Sequence, residues 1–347
     1  MAVATLAVGV GVLIVTGLLL VARTIITSRI GEGDGGDNRG DHGDDAVVAC
    51  NAGGEDRRVR DRRPRVSAVV ITLNEATQIR QCLDHLLAAR PAFHEVIVID
   101  GGSSDDTVGI AAGYTKRTGM VRVHVSATRG RAAQLNVGLS EVTGDAVVFV
   151  HADSRPPRAC VQEVCTALFN GDDRDEPTGI GLLGFPTRIA MFDEDGSYSP
   201  ASETRILWIT TMHEYIAYFF YPLLFQPISF LRGLRCLFGD QNLSLRTVDG
   251  IKLGGFDDTL RIMEDLDLCL RVVEKLGKRV VRSGRWGASS GRRIAQWGEL
   301  NATYIHFRIS LVWYMARLAE WVIGGRWPWV RRLMGREYEM IYTDDPR

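Results

Sequence analysis

The sequence predicts an α/β domain built on a mostly parallel sheet flanked by helices, preceded by an N-terminal transmembrane helix. Three observations point there. Apolar runs alternate with helical patterns from Val66 onward. Two of those runs end in an acid at the edge of a turn, at Asp100 and at Asp153. Ala2 through Ala22 carries no charged residue. The 347 residues suffice for one large α/β core or two modest domains.

The N-terminal tract comes first. As a helix its 21 residues span roughly 31 Å, about the hydrocarbon thickness of a bilayer. It lacks the basic n-region and short apolar core of a cleaved signal peptide. Residues 1–29 are therefore expected to be an uncleaved single-pass anchor. Arg23 and Arg29 follow it, so the positive-inside rule places the rest of the chain in the cytosol. Residues 30–65 hold few apolar side chains and cannot bury enough surface to fold alone, which predicts a disordered linker. Its basic end, Arg57 to Arg65, suits either solvent or anionic lipid headgroups.

The folded domain is expected over 66–300, in two halves, 66–185 and 186–300. Val66–Ile71 is a short apolar run of the kind that forms a buried parallel strand. Thr72-Leu73-Asn74-Glu75 follows, then a helical pattern through Leu83, Leu86 and Leu87. Glu95–Asp100 is a second strand, and Gly101 to Thr107 supplies turn residues and a helix cap. Val121–Val125 and Ala146–Val150 are the third and fourth strands. Such alternation gives a parallel sheet whose ligands bind beyond the carboxyl ends of the strands. Thr72, Asp100 and Asp153 fall at those ends. The Gly101-Gly102 turn is not a dinucleotide fingerprint, because G-x-G-x-x-G is absent and the acid precedes the glycines. A carboxylate there can accept hydrogen bonds from the edge of a base. Farther along, Gly254-Gly255-Phe256 precedes Glu264-Asp265 at the start of a helical pattern, where a carboxylate suits a general base.

These motifs, in this order, resemble family 2 glycosyltransferases of the GT-A fold. The resemblance runs from residue 66 to about 293. It rests on Thr72-Leu73-Asn74-Glu75, Ile99-Asp100-Gly101-Gly102-Ser103-Ser104-Asp105, Gly130-Arg131 through Asn136, Val150-His151-Ala152-Asp153 and Glu264-Asp265. The His-Ala-Asp form, Gly239-Asp240-Gln241 and Ser290-Gly291-Arg292-Arg293 are similar to a poorly characterised, mostly bacterial subgroup. The resemblance implies a Rossmann-type sheet and transfer of a sugar from a UDP- or GDP-linked donor to an acceptor hydroxyl. Thr72, Asn74 and Glu75 would line the nucleoside pocket and Asp100 would hold the base. Arg131 and Asn136 would approach the diphosphate and sugar. Asp153 matches the last acid of the DXD motif and would bind Mn2+ or Mg2+, and His151 replaces the first acid. Asp265, beside Glu264, matches the catalytic base. Asp240, Gln241, Arg292 and Arg293 are placed toward the acceptor.

Simpler readings stand beside these. Arg131 can equally pair with a helix carboxylate, and Asp267 reads as a solvated helix face. A silent nucleotide-sugar-binding or membrane scaffold protein is a rival. So is a nucleotidyltransferase, although Thr72-Leu73-Asn74-Glu75 holds no glycine for its phosphate loop. The formal net charge of −1 gives no nucleic-acid footprint. Six cysteines without a CxxC pair argue against a disulfide framework or zinc cluster. Residues 206–238 are dense in aromatics and broken by Pro222 and Pro227. They are expected either to pack as core or to lie at a membrane interface, where they would suit a lipid-linked acceptor. Residues 301–347 are expected to form C-terminal amphipathic helices.

Overall fold

The computed structural model describes residues 63–170, 173–190, 216–323, 332–336 and 338. The expected anchor and most of the expected linker lie outside these residues. Among the described residues, no helix is long and apolar enough to cross a membrane.

The first half alternates as its periodicity predicts: β1 (Val66–Thr72), α1 (Ala76–Leu87), β2 (Glu95–Asp100), α2 (Thr107–Thr118), β3 (Val121–Val125), α3 (Arg131–Glu141) and β4 (Ala146–His151). After it come β5 (Ser154–Arg155), α4 (Cys160–Leu168), β6 (Phe169–Asn170), β7 (Asp173–Pro177), β8 (Ile180–Gly184) and β9 (Thr187–Ala190). The chain is next described at a π-helical turn over Ile216–Phe220. It continues through α5 (Tyr221–Phe225), α6 (Pro227–Leu231), a 3-10 turn over Gly239–Gln241, β10 (Ser244–Arg246), α7 (Thr247–Leu253), α8 (Glu264–Leu276), β11 (Arg279–Arg282), β12 (Gly287–Ser290), α9 (Arg292–Trp297) and α10 (Glu299–Ile323).

The main sheet has seven strands in the order β11-β8-β10-β4-β1-β2-β3. β1 pairs in parallel with both β2 and β4, and β2 with β3. β10 runs antiparallel to β4 and β8. Because β1 has β4 on one side and β2 on the other, the connections diverge there. That is the switch point at which α/β sheets bind ligands. Register sets Thr72 beside Asp100 and Ile71 beside His151, so three motif residues share one edge. A smaller sheet, β5-β12-β9, flanks that edge.

The strands are apolar throughout because helices cover both faces. Val69, Ile71, Ile97, Ile99, Val147 and Phe149 face α3, α8 and α10, where Leu135, Leu266 and Tyr314 are buried. The alternate residues Ala68, Val70, Val96, Val98, Val148 and Val150 face α1, α2 and α4. The last residues of the expected linker already join the domain: Arg65 donates its backbone N–H to Asp145 (2.8 Å), and Cys165 bonds the Pro64 carbonyl. The described part of the aromatic segment has two faces. Ala217, Tyr221, Leu234, Cys236 and Leu237 are core, whereas Leu224, Ile228 and Leu231 are exposed. α10 adds Trp313 and Tyr314 to the same core. The five described cysteines are all buried and free.

Asp267 is not on a solvated face. It is buried in α8 and ion-paired with Arg271 one turn on, Oδ2 to Nε 2.5 Å. The Arg271 guanidinium also donates to the carbonyls of Leu253 (3.0 Å) and Gly255 (2.7 Å). A carboxylate on an apolar helix reads as outward-facing until a partner at i+4 lets it turn in. Removing one member leaves a buried charge uncompensated. Asp267→Ala is therefore expected to lower stability by about 3–5 kcal/mol, seen as a reduced urea midpoint. An unchanged midpoint would mean that the pair is dispensable.

Candidate active site

The edge between β1 and β4 gathers most of the residues singled out from the sequence, but not all of them face open space. Asp100 ends β2 and is buried. Its Oδ2 accepts the N–H groups of Gly102 and Ser103, both at 2.8 Å, and its Oδ1 accepts the Ser103 hydroxyl. Asp100 thus shapes its own turn. Asn74 sits at φ 53°, and its Oδ1 accepts the Ser104 N–H at 2.8 Å, which ties the loop after β1 to the loop after β2. The Glu75 N–H donates to Thr107 (2.9 Å), and its carboxylate meets Arg292 of α9 at 2.8 Å. The Thr72 hydroxyl is buried at this edge with no hydrogen-bond partner among the described residues.

One residue escaped sequence reasoning. The buried Gln134 amide on α3 donates to the carbonyls of Thr72 and Ile99, both at 2.9 Å. It holds together the ends of β1 and β2 where the strands begin to part. A polar residue on an otherwise apolar helix face was its only sequence signal.

Asn136 turns away from the expected direction. Its amide brackets Phe256, donating to the carbonyl (2.9 Å) and accepting the N–H (2.7 Å). Gly255 passes so close, at φ 71°, that a Cβ there would fall 2.2 Å from Asn136 Oδ1, so this turn requires glycine. Arg131, at the start of α3, makes a two-pronged ion pair with Glu264, Nε to Oε1 3.0 Å and Nη2 to Oε2 3.4 Å.

The acids converge around Gly239. Asp265 opens α8, and its Oδ2 accepts the Gly239 N–H at 2.7 Å. Its Oδ1 accepts the Leu266 N–H at 2.8 Å. A Cβ on Gly239 would lie 3.0 Å from His151 Nε2 and 3.7 Å from Asp265 Oδ2, so His151 and Asp265 face the same backbone position. Asp240 takes a hydrogen bond from Thr187 (3.1 Å), and the adjacent Gln241 is buried with its Oε1 accepting the Phe238 N–H at 3.3 Å. The Asp153 carbonyl accepts the Ser290 N–H at 3.0 Å, fixing β5's entry against β12. Arg293 lies on α9; its side chain is outside the described residues.

The electrostatics follow from crowding. Burial pushes Asp240 up to about 6, opposed by the Thr187 hydrogen bond and reinforced by the charges of Asp265 and Asp153. Burial raises Glu264 to about 7 against the pull of Arg131, with the neighbouring Asp265 charge adding to the rise. Burial also raises Asp265, while Arg131 and the two N–H donors hold the rise back. Carboxylates raised toward neutrality are suited to accept a proton, and their mutual repulsion favours a cation among them. Among the described residues, no three His, Cys, Asp or Glu side chains meet as a ready metal cage. One or two carboxylates suffice where phosphate oxygens supply the remaining ligands.

Residues 67–174 match the Glycosyl transferase family 2 model. Curated relatives agree. Dolichyl-phosphate beta-glucosyltransferase of Drosophila melanogaster is 31% identical over 129 residues, 33% of this chain and 40% of that protein. The uncharacterized glycosyltransferase YibD of Escherichia coli K12 is 32% identical over 108 residues, 31% of each chain. The chain thus spans a third to two fifths of the length of these relatives. Among solved structures, the mannosyltransferase PcManGT of Pyrobaculum calidifontis, in complex with GDP-Man and Mn2+, superposes with a TM-score of 0.50 at 19% identity. The match covers 82% of this chain and 71% of that one. That likeness establishes a GT-A-like mixed α/β fold with a mostly parallel central sheet.

The raised Glu264 has a stability signature. Between its ordinary 4.5 and about 7, the folded chain holds a proton that the unfolded chain has lost. Stability from this group is full below about 4.5 and is lost as pH rises through 7. Glu264→Gln lacks that dependence. Across this window the variant is expected to gain on the wild type by up to about 3 kcal/mol, measured as the difference in urea midpoints at several pH values. A difference that stays flat from pH 4.5 to 7 would mean that Glu264 titrates normally.

Proposed function

We propose that this chain is a membrane-tethered glycosyltransferase that moves a sugar from a nucleoside-diphosphate sugar to an acceptor hydroxyl with inversion. The observation that carries the reading is that Asp265 and His151 face the Gly239 backbone, with Asp240 next in the chain, at the carboxyl-end edge of β1 and β4. The family 2 match over the first half and the GDP-Man and Mn2+ held by a protein of similar fold support the donor class.

In this reading the acceptor hydroxyl lies against Asp265. The two N–H groups on this carboxylate orient it, and burial lifts its proton affinity. Asp265 takes the hydroxyl proton while the oxygen attacks the anomeric carbon opposite the departing diphosphate. One base without a second nucleophile gives inversion. Asp153, with Asp240 and His151 beside it, would hold Mn2+ or Mg2+. When bound, the metal supplies neutralising charge for the diphosphate. Glu75, Thr72 and the Asp100 turn border the nucleoside side. Arg131 stands at the N-terminus of α3, where an anion is favoured. Arg292 closes over Glu75 from the acceptor side.

Two variants test the chemistry together. Asp265→Asn keeps the shape but not the base. Turnover is expected to fall by about 10²-fold or more, while UDP- or GDP-sugar binding, read by thermal shift, persists. Asp153→Ala and EDTA should each weaken donor binding. Wild-type turnover in the first variant would remove the base, and donor affinity indifferent to both treatments would remove the metal.

The interfacial part of the membrane reading rests on the outer face of α5 and α6, and the tether on the apolar tract within residues 1–29. Leu224, Ile228 and Leu231 are 49%, 55% and 83% exposed. Arg235 beside them lies 4.0 Å over the Phe230 ring. Apolar side chains flanked by arginine suit a lipid interface and, with it, a lipid-linked acceptor. A chain lacking residues 1–62 should still float with anionic liposomes. Leu224→Glu with Ile228→Glu and Leu231→Glu should release it without lowering its melting temperature, because these side chains are outside the core. A triple variant that floats like its parent would end the interfacial reading.

A further inference from the structure

A cavity of about 610 Å3 lies along the flank of α1, within the ordinary size range of small-molecule pockets. It is walled by α1, the turn after β5, β9 and the start of β12. None of its lining residues belongs to the transfer chemistry above. Arg155 lies two residues beyond Asp153. β12 runs on into Arg292, which bonds Glu75.

Three arginines and one carboxylate line the cavity. Arg155 is only 7% exposed, and its guanidinium is fixed by donation to the Ala152, Ser154 and Gln78 carbonyls and to Gln78 Oε1. Arg158 and Arg188 are exposed at the rim. The carboxylate, Asp84, is drawn toward α2 by the Tyr114 hydroxyl (2.7 Å) and Arg117 (3.3 Å). His85 adds no charge. Its ring meets the Pro156 carbonyl at 2.6 Å, and burial lowers its pKa. The balance is positive and suits an anion.

The remaining wall is aromatic. Trp286 is 41% exposed, and the Arg188 guanidinium sits over one face of its ring, 5.7 Å from the centre, leaving the other face to the cavity's ligand. An exposed indole face carries negative potential and attracts the weakly positive C–H face of a pyranose. A guanidinium beside it presents paired donors to a phosphate or carboxylate. Inorganic phosphate alone would leave the indole unused, and a neutral sugar would leave the arginines unused.

We propose that this cavity binds an anionic monosaccharide unit, stacked on Trp286 with its phosphate or carboxylate held by Arg158 and Arg188. This binding does not depend on the transferase reading.

The test is calorimetric titration of the full chain with glucose 6-phosphate, glucuronic acid, glucose and inorganic phosphate. At least one anionic sugar should bind about tenfold or more tighter than both glucose and phosphate. Trp286→Ala should reduce that sugar's affinity to that of the bare anion, and Arg158→Ala with Arg188→Ala should reduce it to that of glucose. All three side chains are exposed, so folding is expected to persist, and a thermal melt verifies it. UDP and GDP binding with Mn2+ is measured on the same variants and should not change. Equal affinity for phosphate and the anionic sugars, unaffected by Trp286→Ala, would mean an adventitious ion only and overturn the proposal. So would absence of binding by both anionic sugars. Nucleotide binding without sugar binding removes this inference alone. Sugar binding without nucleotide binding leaves the cavity standing and removes the transferase reading.

Discussion

The candidate site depends on where α8 begins, and that is set by a clamp on the Gly254-Gly255-Phe256 turn. Arg271, buried within α8, reaches back to the Leu253 and Gly255 carbonyls while Asp267 neutralises it. From the other side, Asn136 of α3 takes both backbone groups of Phe256. Both glycines sit at positive φ, 74° and 71°, which side chains resist. The Phe256 ring meets Phe149 of β4 edge-on at 5.0 Å. The start of α8, carrying Asp265, is thereby registered against β4, the strand that ends in His151. A looser turn would let Asp265 drift relative to the acids beside it, and small misplacements of such groups are costly in any active site.

The clamp also explains how this edge tolerates so much negative charge. Asp153, Asp240, Glu264 and Asp265 would repel one another in a low-dielectric pocket. The first turn of α8 supplies N–H groups and the positive end of its dipole to the acids at its start. Gly239 donates one more N–H to Asp265, and Arg131 faces Glu264. Burial, with the neighbouring carboxylate charges adding to it, still holds Asp240 and Glu264 above the ordinary carboxylate range. A rigid, under-neutralised mouth of this kind gains most from a ligand that brings its own cation.

Much of the first half was legible in the sequence. β1 to β4 fall where the apolar runs lie, because a parallel strand covered on both faces leaves a continuous apolar signature. The second half was less so. β8, β10 and β11 are three to five residues long, and their pairing rests on partners far away in sequence, Ser244 with Val148 for example. Asp267 misread for a related reason: the alternation of types along α8 suggested an outer face, but the helix is packed on all sides near its start and the acid is satisfied inside. The motif acids were found, yet their division of labour was not. Asp100 and Asn74 stand at strand ends as Asp153 and His151 do, and Asn136 lies within α3, and composition cannot tell which of these side chains is spent on holding its own loop or turn. Only the bonds of Gln134, Asn136 and Asp100 separate the residues that hold this site from those that line it.

The aromatic stretch at 216–238 shows why a choice between core and interface was too narrow. Pro222 and Pro227 cut it into turns too short to be buried all round. Each short helix has one face for the domain: Tyr221 packs on Tyr314 at 5.3 Å, and Phe225 stacks on the same ring at 5.6 Å. Among the described residues the opposite face meets no packing partner, and Leu224, Ile228 and Leu231 are exposed. A long amphipathic helix would have placed polar residues there. This segment keeps apolar ones and then runs directly into Gly239, the backbone position that Asp265 and His151 share. The outward apolar surface and the backbone position that Asp265 contacts thus lie on one stretch of chain, with Leu234, Cys236 and Leu237 buried between them.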